Sequence, residues 1–460
     1  MKGIIQIKIY TINIAVNKLM KILLFVKNVE DKFNKREERK MEKKEPIKIS
    51  LKTSIILILI FIGIIGIMYG FISYNNQGQN NVSGVGNQGG DYVPGSSDDF
   101  SLEFLKMENN KKNTIYSPLS IKYALNLLNE GANGNTKTQI EKVIKNLKLT
   151  PYKNIDNVLS FANGVYIRDS YSKDVKSDYI NSVKNKYNAE IKYDQFKNAS
   201  NINKWIEEKT FGKIKNMISD NIVTNPNTKM ILLNALAIDM EWETPFEREG
   251  TSSKEFNLAD GNKMNAATVF LETTSKSISY YKDSDITSIQ MDLKKYDNTE
   301  LEFIAIMPEK NLDDYVKKTT IKDINKILEN SKKASDAGTK VIIRIPRFSF
   351  NYELKLKEDL VKLGIEDAFD RQKADFTNMT DDIQGLYVSD ALHNANIDFS
   401  EKGIKAAAAT AMVMLAKASR PTKEPIRIEI DKPFLCMIKD KNTDEVWFVG
   451  TVYEPSLWEE

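Results

Sequence analysis

Apolar and polar residues alternate strictly in Ile426-Arg-Ile-Glu-Ile430, which predicts a strand. Lys229-Met-Ile-Leu-Leu-Asn-Ala-Leu-Ala-Ile238 and Val341-Ile-Ile-Arg-Ile-Pro346 also read as strands. In Phe100-Ser-Leu-Glu-Phe-Leu-Lys-Met107 and in Ile121 to Leu128 the apolar positions are spaced as helices space them. Helices and strands come in clusters and not in regular βαβ alternation, which favours an α+β domain over a doubly wound sheet. No repeat of fixed period is present.

A different pattern precedes this domain. Ile55 to Ile72 is an uncharged run rich in Ile, Leu, Phe and Gly, and about 18 to 20 such residues cross a bilayer as a helix. Ten Lys/Arg lie between Lys27 and Lys52, and none between Ser73 and Phe100. The positive-inside tendency keeps the N-terminal flank in the cytoplasm and puts everything after residue 73 outside. The expected order is a basic cytoplasmic segment over 1–53, a membrane anchor over 54–73, a linker over 74–98 and a folded domain over 99–460. The linker is rich in Asn, Gln, Gly and Ser, a composition that cannot bury enough apolar area to order itself. The alternative is secretion after signal cleavage, but no convincing small-x-small site follows the apolar run. Met41 opens a more conventional targeting segment, so translation starting there is a second possibility.

Composition changes this picture only by exclusion. A formal charge of +3 gives no field that argues for nucleic acid. The lone Cys436 excludes an intrachain disulfide and a Cys₄ metal cluster, and in its apolar run it reads as a small buried residue. The lone His393 would have to serve any Ser-His-Asp or Cys-His mechanism. Gly131-Ala-Asn-Gly-Asn-Thr-Lys-Thr138 approaches a phosphate loop, but Thr136 stands where Gly must precede the Lys, so it reads as a turn between helices. No nucleophile elbow, His-Glu-x-x-His or calcium loop occurs, and nothing supports an enzyme, a metal or a cofactor.

The most unusual stretch is Glu401-Lys-Gly-Ile-Lys-Ala-Ala-Ala-Ala-Thr-Ala-Met-Val-Met-Leu-Ala-Lys417. Propensity alone reads its alanines as helix. The stretch resembles instead the hinge and reactive loop of the serpins, the serine-protease-inhibitor family. The hinge comprises Glu401, Lys402, Gly403, Ile404, Lys405, Ala406, Ala407, Ala408, Ala409 and Thr410. Further matches follow in family order: Tyr116-Ser-Pro-Leu-Ser-Ile121; Asn203-Lys-Trp-Ile206 with Thr210 and Lys213-Ile214; Leu233-Asn-Ala235 with Trp242 and Pro245-Phe246. Pro346-Arg-Phe348, Leu363-Gly364, Phe369, Ala374-Asp-Phe376, His393, Asp431-Lys-Pro-Phe434 and Phe448-Val-Gly450 complete them. Each is weak alone; their number and order are specific.

The resemblance implies an α+β fold of three β-sheets with eight to nine helices and an exposed reactive loop. Ser117, Ser120, Asn234 and His393 would form a buried polar cluster under the point where the main sheet opens. Trp242 would pack where the loop first enters. The implied activity is suicide inhibition: a trypsin-like protease cuts Lys417-Ala418, and the loop inserts into the sheet as a new strand. The alternative is a non-inhibitory member that binds or carries a ligand. The implied partners are that protease and, through 54–73, a membrane; the protein is expected to be a monomer.

The loop's chemistry suits insertion. Ile404, Ala406, Ala408, Thr410, Met412 and Met414 form one face without charge, and the opposite set begins at Lys405 on the face that can reach water. Ala411, in that set, is expected to face solvent. No proline lies between Gly403 and Lys417, so every amide can join a ladder. Two residues depart from the family's usual inhibitors, which carry Thr or Ser at 404 and an acid at 405. Arg420 is a competing bait, but Pro421 follows it.

Overall fold

The computed structural model describes residues 100–108, 110–144, 149–382, 385–404 and 423–459. The chain divides into two units, Met1–Gly89 and Gly90–Glu460, and all described residues belong to the second. The apolar run 55–72, the linker 74–98 and the loop from Lys405 through Ala418 lie outside the described residues. No helix among the described residues is long and apolar enough to cross a membrane.

The apolar strands assemble first into a seven-stranded antiparallel sheet. Its central members Leu301–Pro308, Phe434–Asp440 and Val446–Val452 are buried at every position, which is why they read as continuous apolar runs. Cys436 lies here without exposure, and burial pushes its thiol up to about 12. A four-stranded sheet runs Ile426–Glu429, Val341–Pro346, Lys263–Thr273 and Glu247–Asn257, with one parallel pairing between the first two.

The remaining strands make one sheet in two leaves. Leu159–Arg168 pairs with Glu190–Asp194 on one side and with Met230–Ile238 on the other. Phe348–Lys355 pairs with Leu392–Phe399. Among the described residues no ladder joins Met230–Ile238 to Leu392–Phe399. Among the described residues the ladders of the two leaves are joined only at one end. There Met230–Ile238 continues through Asp239 into Met240–Glu241, and the two-residue strand Gly403–Ile404 pairs with Met240–Glu241 and with Phe399. Counted with this join, the fold has three sheets. With nine α-helices among the described residues it is an α+β fold.

The 14-residue helix Pro118–Gly131 lies beneath the division. Ser117 caps it, its Oγ accepting the Ser120 N–H at 3.0 Å, and Pro118 supplies a preset first turn. The Gly131–Thr138 stretch ends this helix and starts Gly134–Ile144, with Ala132 and Asn133 between. On the opposite, outer face lies Ser200–Lys209, whose Ile202, Trp205 and Ile206 pack on Leu233 and Ala235.

Candidate functional site

The join between the leaves is built around Gly403. A Cβ there would stand 2.0 Å from the Met240 carbonyl oxygen, so only glycine lets the two backbones approach. Ile404 follows with its side chain buried between Met240 and Phe399. Trp242, fully buried, holds the preceding residues: its N–H donates to the Lys402 carbonyl and its Nε1–H to the Ser400 carbonyl, both at 2.9 Å. Its ring meets Phe246, Phe303 and Phe399 at centroid distances of 6.4, 5.7 and 5.2 Å. Glu401 accepts from Thr251 Oγ1 at 2.7 Å and lies 3.8 Å from Arg347 Nη1.

Midway along the division a chain of hydrogen bonds connects the leaves through the helix start. The Ser117 N–H donates to His393 Nε2 at 2.9 Å. Accepting at Nε2 leaves the ring neutral with its proton on Nδ1. Burial without an acidic partner pushes the His393 pKa down to about 4. Ser120 Oγ donates to Asn234 Oδ1, and Asn234 Nδ2 donates to Asn163 Oδ1 at 2.8 Å. Asn163 in turn donates to the Tyr187 carbonyl at 2.8 Å. Ser117, Ser120, Asn234 and His393 therefore meet in one cluster, and Asn163 is a fifth member that sequence reading missed. Its signal was an amide in the middle of a strand buried at nearly every position.

Beyond the cluster the leaves part around a cavity of about 260 Å³. Met230 and Leu232 line it from one leaf, Ala391 from the other, and Ile121, Leu125 and Leu128 from the helix below. On the outer face near the join, Lys213 Nζ donates to the Ile238 carbonyl at 2.7 Å. Burial raises the Asp398 carboxyl, opposed by Lys213 and Arg347 and assisted by Asp239 and Glu401.

The outer face bears on the expectation that Ala411 faces solvent, a residue outside the described ones. Leu233 and Leu392 belong to the cluster under Ser200–Lys209, so a residue entering between them would meet that cluster and not solvent. Ala411 is such a residue if the Gly403–Ile404 register continues. The period-two pattern separates two faces, but it cannot tell that a helix lies across one of them.

The sheet is thus two leaves with one short strand between them at one end. The chain belongs to the serpin family: the family model for serpins (serine protease inhibitors) matches residues 96–455. An uncharacterized serpin-like protein of Methanosarcina acetivorans is 29% identical over 376 residues, covering 77% of this chain and 84% of that one. The leukocyte elastase inhibitor of Equus caballus is 28% identical, covering 75% of this chain and 93% of its own. The native structure of the thermophilic serpin tengpin superposes with a TM-score of 0.66 at 28% identity, over 82% of this chain and 98% of that one. Thyroxine-binding globulin in complex with thyroxine gives 0.64 at 27% identity, over 78% and 98%.

Proposed function

We propose that this serpin is a suicide-substrate inhibitor of a trypsin-like, Lys/Arg-specific serine protease, cut at Lys417-Ala418. We further propose that residues 54–73 hold it on the outer face of a membrane. The observation that carries the inhibitory reading is the register at the join. Gly403 stands opposite Glu241, and Ile404 opposite both Met240 and Phe399. Continued without a slip, that ladder sets Thr410 between Asn234 and His393, the two cluster residues on the facing edges. It sets Met412 between Leu232 and Ala391 and Met414 between Met230 and Ser389, all lining the cavity. In that register the only hydroxyl of the inward set would meet the polar cluster, and its two methionines would meet the space left open. Apolar burial and backbone pairing then act in the same direction.

Lysine at 417 suits a specificity pocket with an acidic floor. A carrier role like that in the name of thyroxine-binding globulin needs no such match between loop and sheet. The test uses the full-length protein in detergent with trypsin. An SDS-resistant 1:1 complex should form, and the released peptide should begin at Ala418 by mass spectrometry. A nicked product without complex favours the carrier; a peptide beginning at Pro421 moves the bait to Arg420.

A further inference from the structure

Both asparagines of the polar cluster use both ends of their amides. Asn234 accepts from Ser120 Oγ at Oδ1 and donates to Asn163 Oδ1 through Nδ2; Asn163 Nδ2 donates in turn to the Tyr187 carbonyl. The two asparagines are direct cross-strand partners. The donors therefore all point one way, from Ser120 to Tyr187, and the group at the end sets that direction, because a carbonyl can only accept. With Asn163 turned over, its oxygen would face the carbonyl and its NH₂ would face that of Asn234. Tyr187 is the last residue of the 11-residue helix Ser177–Tyr187, so the helix itself leaves this carbonyl without a partner.

The side chain of Tyr187 is fastened as well. Its hydroxyl donates to Glu130 Oε1 at 2.9 Å, and Glu130 Oε2 accepts from Ser182 Oγ at 2.5 Å and from Lys186 Nζ at 2.9 Å. Glu130 and Ser120 stand on the same helix, Pro118–Gly131, about 15 Å apart along its axis. One contact would let that helix pivot against the leaf; two contacts so far apart hold it. We propose that Glu130 and Tyr187 are positioning residues for the polar cluster: Glu130 holds Tyr187 in place, and the Tyr187 carbonyl orients the amides of Asn163 and Asn234. Resting on the inhibitory reading, this strap also sets how readily Asn234 releases Ser120 when a strand enters.

The test is a double-variant cycle on the full-length protein in detergent, read by urea unfolding. Tyr187→Phe removes the hydroxyl and Asn163→Ala the amide. If the hydroxyl positions the carbonyl that Asn163 uses, the second substitution costs less once the first is made. The combined loss in the folding equilibrium constant should then fall short of the product of the single losses by roughly fivefold. Glu130→Gln with Asn163→Ala should show the same shortfall. Lys186→Gln touches the same carboxylate without passing through Tyr187, so its loss should simply multiply with that of Asn163→Ala. With trypsin, Tyr187→Phe should lower the ratio of cleaved to complexed product by about twofold, because a less ordered Asn234 releases Ser120 sooner. Lys186→Gln should leave that ratio at the parental value. Single losses that multiply in all three cycles would overturn the strap, whether or not trypsin is trapped. Coupled losses in a protein that traps no trypsin would overturn the inhibitory reading and leave the strap standing.

Discussion

The two ends of the divided sheet differ in what fills them. At the join, Gly403 leaves no room for a Cβ, Ile404 is buried, and Trp242 binds the Ser400 and Lys402 carbonyls. At the far end the leaves stand around a cavity of about 260 Å³ with an aliphatic floor. Only the join has a register, so only there can pairing begin without a search. The cavity offers apolar walls but no backbone partner in place. On the inhibitory reading, a further strand would start and be stabilised most at opposite ends of one division, with the Asn234–His393 cluster between them.

The largest expected effect joins the two ends. Cutting the loop should let about a dozen backbone bonds form, each worth roughly 1 kcal/mol net, a total on the order of 10 kcal/mol before apolar burial. At the entropy expected of a domain this size that is a rise of roughly 13 °C in Tm. Equal melting curves for the intact and the Lys417-cut protein would mean that the far end stays empty.

A block at the station between the ends comes next. Thr410→Arg would carry an unpaired guanidinium to Asn234 and His393, at a cost of about 5 kcal/mol, enough to stall entry halfway. Trypsin should cut it at the parental rate while the complex falls below about a tenth of parental yield. Undiminished complex would show that residue 410 does not reach the cluster.

The smallest effect concerns the cluster alone. His393 is neutral when folded, with its pKa lowered from 6.5 to about 4. Its contribution is fully present above the unfolded value and is lost as pH falls from 6.5 toward 4, where the unfolded chain takes up a proton that the folded one refuses. Protonation also removes the acceptor for the Ser117 N–H. Urea titrations should show stability falling by on the order of 3 kcal/mol across that window. His393→Gln should flatten the fall. An equal fall in the variant would assign it to other groups.

Part of the fold was legible because some of its strands are either continuously apolar or strictly alternating. Val341–Pro346 and Phe100–Met107 have the limits their patterns predict. Asn163 was not legible, because one amide in a buried strand says that a partner exists without saying where. The nearness of the Asp239 and Asp398 strand ends was silent for a related reason: they are 159 positions apart in sequence, and only the pairing of both leaves with Gly403–Ile404 brings those ends together.

The loop's chemistry is written in its own residues: a charge-free inward face, no proline to break the ladder, one lysine at 405 and another at 417. These are properties of consecutive positions, and local order suffices to carry them. Where that loop starts was settled by the folded chain alone. Register depends on which backbone atoms already pair, and that was fixed at a two-residue strand whose placement rests on Trp242, Phe399 and the space that Gly403 leaves beside Met240.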